Sequence, residues 1–328
     1  MNGPRATPSP GSSASGWLEA AGCVTAIGAL SLLYAIGHTR GAHPIAFILY
    51  ALLASAIATL LVVGVGTQAA AIVRHPMSWV VGLAMILLEI LYYQTLTYVT
   101  PAHGNVMLRI GIPISMIAGW LLLRRRSAPL AIAGALVIVG TIVFLVGVTA
   151  PDVRWPMAIV GTLAAACMVV RGFAAEFHPW NRSARTVQDK LRVTGLVLLV
   201  TSILSLALTA TAAAAVAAGL LPGTPLVPTA AQMLHAPTLL LGGLLGGAVY
   251  TLMMYLNFVS VVKITTENLT AMMAFSPATA WVFQELGALF GLIHAPTPPL
   301  SIVAAIVVCI LAVLLIFRAG VAARRLTA

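Results

Sequence analysis

Apolar residues in this chain run unbroken for stretches of about 20, and polar or basic residues collect at the breaks. A bilayer core about 30 Å thick needs roughly 20 mainly apolar residues per helical crossing, so each run is long enough to span. Reading the runs against proline, glycine and charge predicts ten spans, near 17–37, 45–73, 77–99, 103–123, 129–149, 156–174, 193–219, 237–259, 267–292 and 299–318. Pro44, Pro76, Pro129, Pro156, Pro237 and Pro299 stand at or just before proposed first turns, where a missing amide hydrogen costs least. The predicted fold class is therefore an all-α membrane protein.

Composition agrees with that solvent. Of 328 residues, 61% are apolar and 7% charged, against roughly 25% charged in soluble domains. Residues 1–16, rich in Gly, Pro and Ser, read as a disordered tail, and 319–328 as a cytoplasmic tail. Cys23, Cys167 and Cys309 fall within apolar runs, as packing residues do, and form no disulfide or zinc pattern. The Ala-Ala-Gly-Cys stretch at 20–23 is no lipoprotein site, because Cys23 opens its apolar run rather than closing it.

The net charge of +10 is scattered between apolar runs, which excludes the concentrated basic face of a nucleic-acid binder. It reports orientation instead. With both termini cytoplasmic, all 17 Lys and Arg fall on the cytoplasmic side except Arg40, Arg154 and the in-span Arg109.

The chain also repeats itself. PLAIAGALVIVGTIVFL from Pro129 resembles PLSIVAAIVVCILAVLL from Pro299, and the preceding span of each carries a proline, Pro113 or Pro277. The run at 92–105 echoes that at 255–268. Residues 17–149 and 150–318 thus read as two five-helix repeats, inverted because five is odd, an arrangement that secondary transporters use. The order of ten spans, the proline-bearing fourth and ninth and the Gly-rich fifth and tenth resemble the EamA-type branch of the drug/metabolite transporter superfamily, over roughly residues 17–318. The resemblance implies a central cavity between the halves and a cargo of amino acids, other small metabolites or drugs. Family repeats often end the fourth and ninth spans with an acid after a Leu-Gly pair; here the fourth ends in Arg124, Arg125 and Arg126, and the ninth carries Glu285 mid-helix.

Charges within spans are few: Glu89, Arg109 and Glu285. A charge at membrane depth costs at least about 3 kcal/mol and faces a cavity or a partner. At 1.5 Å rise per residue, Arg109 and Glu285 lie roughly 10 Å and Glu89 roughly 15 Å from the non-cytoplasmic ends, compatible with one shared site. In the functional reading Arg109 holds a substrate carboxylate, while Glu89 or Glu285 takes an amine or a coupling proton. In the structural reading Arg109 pairs with one of the acids to hold helices together.

Gln94, Asn105 and Asn257, with Tyr93, Tyr255 and Trp281, complete the expected substrate site, and Pro113 and Pro277 are expected to open mid-span hydrogen bonds for gating. The glycines at 242, 243, 246 and 247 allow close helix approach, either within the monomer or in a homodimer. The expected function is a gradient-driven exporter of an amino acid or related zwitterion, by alternating access, with protons as the coupling ion under consideration. No metal or other cofactor is expected: no phosphate-binding Gly-Lys-Ser/Thr loop occurs, and the seven histidines lack zinc-ligand spacing. The alternative is an integral-membrane enzyme acting on a lipid or lipid-linked substrate, which needs grouped acids, a metal or an activated nucleophile. High Ala, Arg and Gly usage points to a bacterial cytoplasmic membrane.

Overall fold

The computed structural model describes residues 10–124, 127–294 and 299–325, and among them it is helical throughout with no strand. In chain order the helices are α1 (Pro10–Thr39), α2 (Pro44–Val63), α3 (Ala69–Arg74), α4 (Pro76–Thr95), α5 (Pro101–Met107), α6 (Gly111–Leu123), α7 (Pro129–Val148), α8 (Pro151–Phe177), α9 (Pro179–Ser183), α10 (Val187–Ala217), α11 (Ala230–Met233), α12 (Gly247–Met273), α13 (Ser276–Leu289) and α14 (Leu300–Arg325). A 3-10 turn, Leu108–Ile110, joins α5 to α6, and a π-helical stretch, Thr238–Gly246, leads into α12. Nine helical segments among the described residues are long and apolar enough to cross a membrane, and the chain is a multi-pass helical membrane protein. Arg5, Arg125 and Arg126 lie outside the described residues, as do most of the N-terminal tail and the last residues of the C-terminal tail.

Proline sets most starts. Pro44, Pro76, Pro101, Pro129, Pro151 and Pro179 occupy first turns, where their fixed φ suits the helix. Pro156, expected to open a span, instead lies inside α8, which begins a turn earlier at Pro151. The apolar run expected to reach residue 73 ends at Val63, because Gly64 and Gly66 take φ of 73°, a left-handed conformation that terminates α2.

The segment expected as one span at 267–292 is divided. Its first residues continue α12 to Met273, the chain tightens through Ala274 and Phe275, and α13 restarts with Pro277 in its first turn. At 14 residues α13 is shorter than a full crossing of roughly 20. Pro113 likewise sits in the first turn of α6, directly after the 3-10 turn. Pro277 therefore begins a helical segment rather than interrupting a continuous mid-span helix as expected, whereas Pro113 lies mid-span within Pro101–Leu123, where the chain departs from α geometry just before it.

Packing joins early helices to late ones. α1 lies along α12, α4 along α8, α2 along α10, α7 along α14, and α5 crosses α13. The glycine seam is filled within the monomer: a Cβ at Gly242 would fall 2.8 Å from the Phe47 carbonyl oxygen, and one at Gly247 would fall 2.7 Å from the Ala54 Cβ, both on α2. Tyr34, Phe47, Tyr92, Tyr93 and Tyr250 anchor the largest core cluster, where α1, α2, α4 and α12 meet.

Candidate functional site

The turn between α5 and α6 brings Asn105 and Arg109, one helical turn apart, onto one face. That face meets the start of α13. The Arg109 guanidinium donates through Nη2 to the Ser276 hydroxyl at 2.6 Å and through Nε to the Asn105 carbonyl at 3.3 Å. Ser276 in turn donates to Asn105 Oδ1 at 3.0 Å. The Asn105 amide nitrogen donates to Tyr92 Oη, to Ser31 Oγ at 3.1 Å and to the Pro101 carbonyl at 3.1 Å, and the Ser31 and Tyr92 hydroxyls bond each other at 2.9 Å. Asn105 and Ser276 are fully buried, so α1, α4, α5 and α13 are tied by one sealed polar network.

Among the described residues no carboxylate lies within 4 Å of the Arg109 guanidinium. A planar cation with several donors in a low-dielectric site thus has only neutral acceptors, which leaves it suited to an anion.

Glu89 stands apart from Arg109. Six residues before the end of α4 and only 8% exposed, it accepts from Tyr34 Oη at Oε2 (2.8 Å) and from Tyr250 Oη at Oε1 (3.3 Å). Arg171 of α8 lies close enough for its charge to act on Glu89, but its Nη1 donates to Met85 Sδ at 2.9 Å. Tyr250 Oη also approaches Met85 Sδ, at 3.2 Å. Arg171, expected at a cytoplasmic helix end, is therefore turned inward against α4. Above Glu89, the rings of Tyr34, Phe47 and Tyr93 pack with centroids 5.3 to 5.7 Å apart and close the core toward the α1–α2 turn. Tyr93 Oη donates to the Ala42 carbonyl there at 3.4 Å.

The remaining expected residues scatter. Glu285 is exposed on the outer face of α13, where it accepts from Trp281 Nε1 at 3.0 Å, and it does not share a site with Arg109. Gln94 bonds locally to Thr97 and Tyr98. Asn257 is half-buried beside the Cys23 thiol, and Tyr255 is 49% exposed. Besides Ser276, the buried polar residue on α13 is Gln284, whose Oε1 accepts from the Ala102 amide at 3.4 Å and whose Nε2 is buried with no partner among the described residues.

Sequence reading missed Ser31, Tyr34, Tyr250, Ser276, Arg171 and Gln284. For Ser276 the neighbouring Pro277 was a signal, since a hydroxyl beside a proline commonly opens a helix. The tyrosines carried none, because facing depends on the partner helix. Lys263, expected in a cytoplasmic loop, lies within α12 and pairs with Glu19 of α1, with Ser15 Oγ as a second acceptor at 3.1 Å.

Two histidines outside the spans are buried as neutral rings. His178 is fully buried between α8 and α9, bonds Ser78 Oγ at 2.8 Å and stacks obliquely on His75 at 5.3 Å. Burial, and then the charge of His75, hold its pKa below the ordinary value. His43 caps the start of α2 against the Pro225 carbonyl at 3.1 Å, and burial lowers its pKa too, opposed by that carbonyl.

No family model and no curated protein matches the chain. A solved structure titled only "Crystal structure of protein" superposes on 93% of this chain and 97% of its own, with a TM-score of 0.53 at 18% identity. Likeness at that identity is one of fold, and the two molecules share this helical architecture.

Proposed function

We propose that the protein is a secondary transporter of a small polar metabolite bearing a carboxylate, such as an amino acid or related zwitterion, and that Arg109 holds the carboxylate. The observation that carries this reading is that, among the described residues, no acid lies beside Arg109. A structural cation at membrane depth is paired, and both in-span acids that sequence offered as its partner are engaged elsewhere.

The exchange of partners between halves supports an inverted repeat of residues 17–149 and 150–318. Under a two-fold relation that maps the first five spans onto the second five, α1 against α12 is the counterpart of α8 against α4, while α2–α10, α7–α14 and α5–α13 map onto themselves. In this reading α13 with its flanks is the ninth of the ten spans. This pattern fits the EamA-type resemblance. The charge distribution favours cytoplasmic termini, and the Ala, Arg and Gly usage favours the bacterial cytoplasmic membrane. The enzyme alternative has no grouped acids to draw on: among the described residues no three His, Cys, Asp or Glu gather as a metal site would require.

A thermal-shift screen of the purified chain against amino acids, amines, nucleosides, amphiphilic drugs and lipid-linked substrates tests the proposal, because a ligand stabilises the state that binds it. Stabilisation by a carboxylate-bearing ligand, lost in Arg109→Leu, is the expected outcome. Stabilisation by lipid-linked substrates alone would overturn it in favour of the enzyme.

A further inference from the structure

We infer that Glu89 is a proton-binding site whose charge is read by Arg171, so that gain or loss of one proton decides how α8 sits against α4. This deepens the transport reading and rests on it for what the proton drives, although the site itself is a property of the chain alone.

The geometry gives Glu89 two stable hydrogen-bond states. As a carboxylate it accepts one tyrosine hydroxyl on each oxygen, Tyr34 on Oε2 and Tyr250 on Oε1. As a carboxylic acid it must donate through one oxygen, and Tyr250 is built to receive that proton. Its single hydroxyl hydrogen has a second acceptor, Met85 Sδ at 3.2 Å, so it can turn from Glu89 to the thioether while its lone pair accepts from the acid. A proton taken from solvent then sits on Oε1 and returns to solvent on release, and no other covalent bond changes.

Arg171 converts protonation into movement. Its hydrogen-bond acceptor is a thioether, a weak partner for a guanidinium, and the nearby Glu89 supplies the charge that holds it against α4. Met85 and Glu89 are one turn apart on α4, so both groups lie within reach of the same side chain. When Glu89 becomes neutral, the half-buried cation keeps a thioether as its hydrogen-bond partner among the described residues. Arg171 lies six residues, about 9 Å of rise, from the end of α8, a distance its long side chain spans by turning outward. Among the described residues the groups that act on Glu89 are Tyr34, Arg171 and Tyr250. Tyr34 comes from α1, Tyr250 from α12, Tyr92 and Tyr93 from α4 itself; α2 offers only Tyr50, bonded to Met233, and the charges of α10 lie at its far start. Arg109 acts on Tyr92 rather than on Glu89.

The test uses the full chain in lipid nanodiscs without substrate, by infrared difference spectroscopy across a pH titration. The expected result is a buried carboxylic-acid carbonyl band that grows on acidification and vanishes in Glu89→Gln. In Arg171→Met, which removes the cation and keeps the bulk, the band's midpoint should move to higher pH by about one unit or more, a tenfold change in proton binding. Arg171→Lys should restore most of it, which a merely structural role would not do. If Arg171→Met is not recovered folded, Tyr250→Phe should move the midpoint the same way, by removing a donor to the carboxylate. A band absent, or indifferent to Glu89→Gln or to loss of both partners, overturns the proton site and leaves the ligand screen at Arg109 untouched.

Discussion

The Arg109 guanidinium and the Ser276 hydroxyl meet at 2.6 Å, joining the turn after α5 to the first residue of α13. Each segment begins beside a proline, so each offers a helix start to the same small volume, and among the described residues the full charge there is positive.

That relationship separates charge from geometry. Arg109→Lys retains a cation but loses the planar fork, so ligand affinity should fall at least about tenfold while the ligand-free melting temperature stays near that of the parent. Titration of ligand by thermal shift checks both numbers together. A structural role would be revealed by a lower ligand-free melting temperature and unchanged affinity.

Asn105 serves four partners at once and is fully buried. Asn105→Ala should destabilise the chain by about 1–3 kcal/mol, because Ser276, Ser31 and Tyr92 are left short of partners. Gln94→Ala, which breaks only local bonds, should stay within about 0.5 kcal/mol. Comparative unfolding of the two variants in the same detergent measures the difference.

Glu285 makes the converse prediction. Exposed and bonded only to Trp281 one turn away, it should tolerate Glu285→Gln with ligand affinity unchanged within about twofold. A large loss in an equilibrium binding assay would return Glu285 to the site.

The glycine seam can be tested against a glycine in open space. Gly242→Ala places a Cβ against Phe47 backbone, which cannot yield, and should cost about 1–3 kcal/mol. Gly140→Ala in α7 meets nothing within 4 Å and should stabilise by about 0.5–1 kcal/mol through helix propensity. Melting temperatures moving in opposite directions are the signature.

His178 and His43 set a pH dependence with a definite sign. Each has a folded pKa depressed below its ordinary value of 6.5, so the unfolded chain binds protons more readily. Their contribution is fully present above that value and is lost as pH falls from it toward the depressed folded values. The melting temperature should therefore drop on mild acidification, and His178→Gln should flatten part of that drop.

What the sequence determined by itself is local. Spans follow from run length, and most of their starts from proline, because backbone satisfaction in lipid depends on neighbours four residues away and not on the rest of the fold. Even the departures at Gly64 and Pro277 arise from residues visible in the chain. What only tertiary structure decided is rotation and partnership: that Gln284 turns inward and Glu285 outward, that Arg109 finds Ser276 rather than an acid, and that Arg171 reaches back to Met85. In a soluble helix the polar face announces the outside. Here lipid and core are equally apolar, so the sequence pattern carries no such contrast, and each helix takes its facing from the helices packed against it.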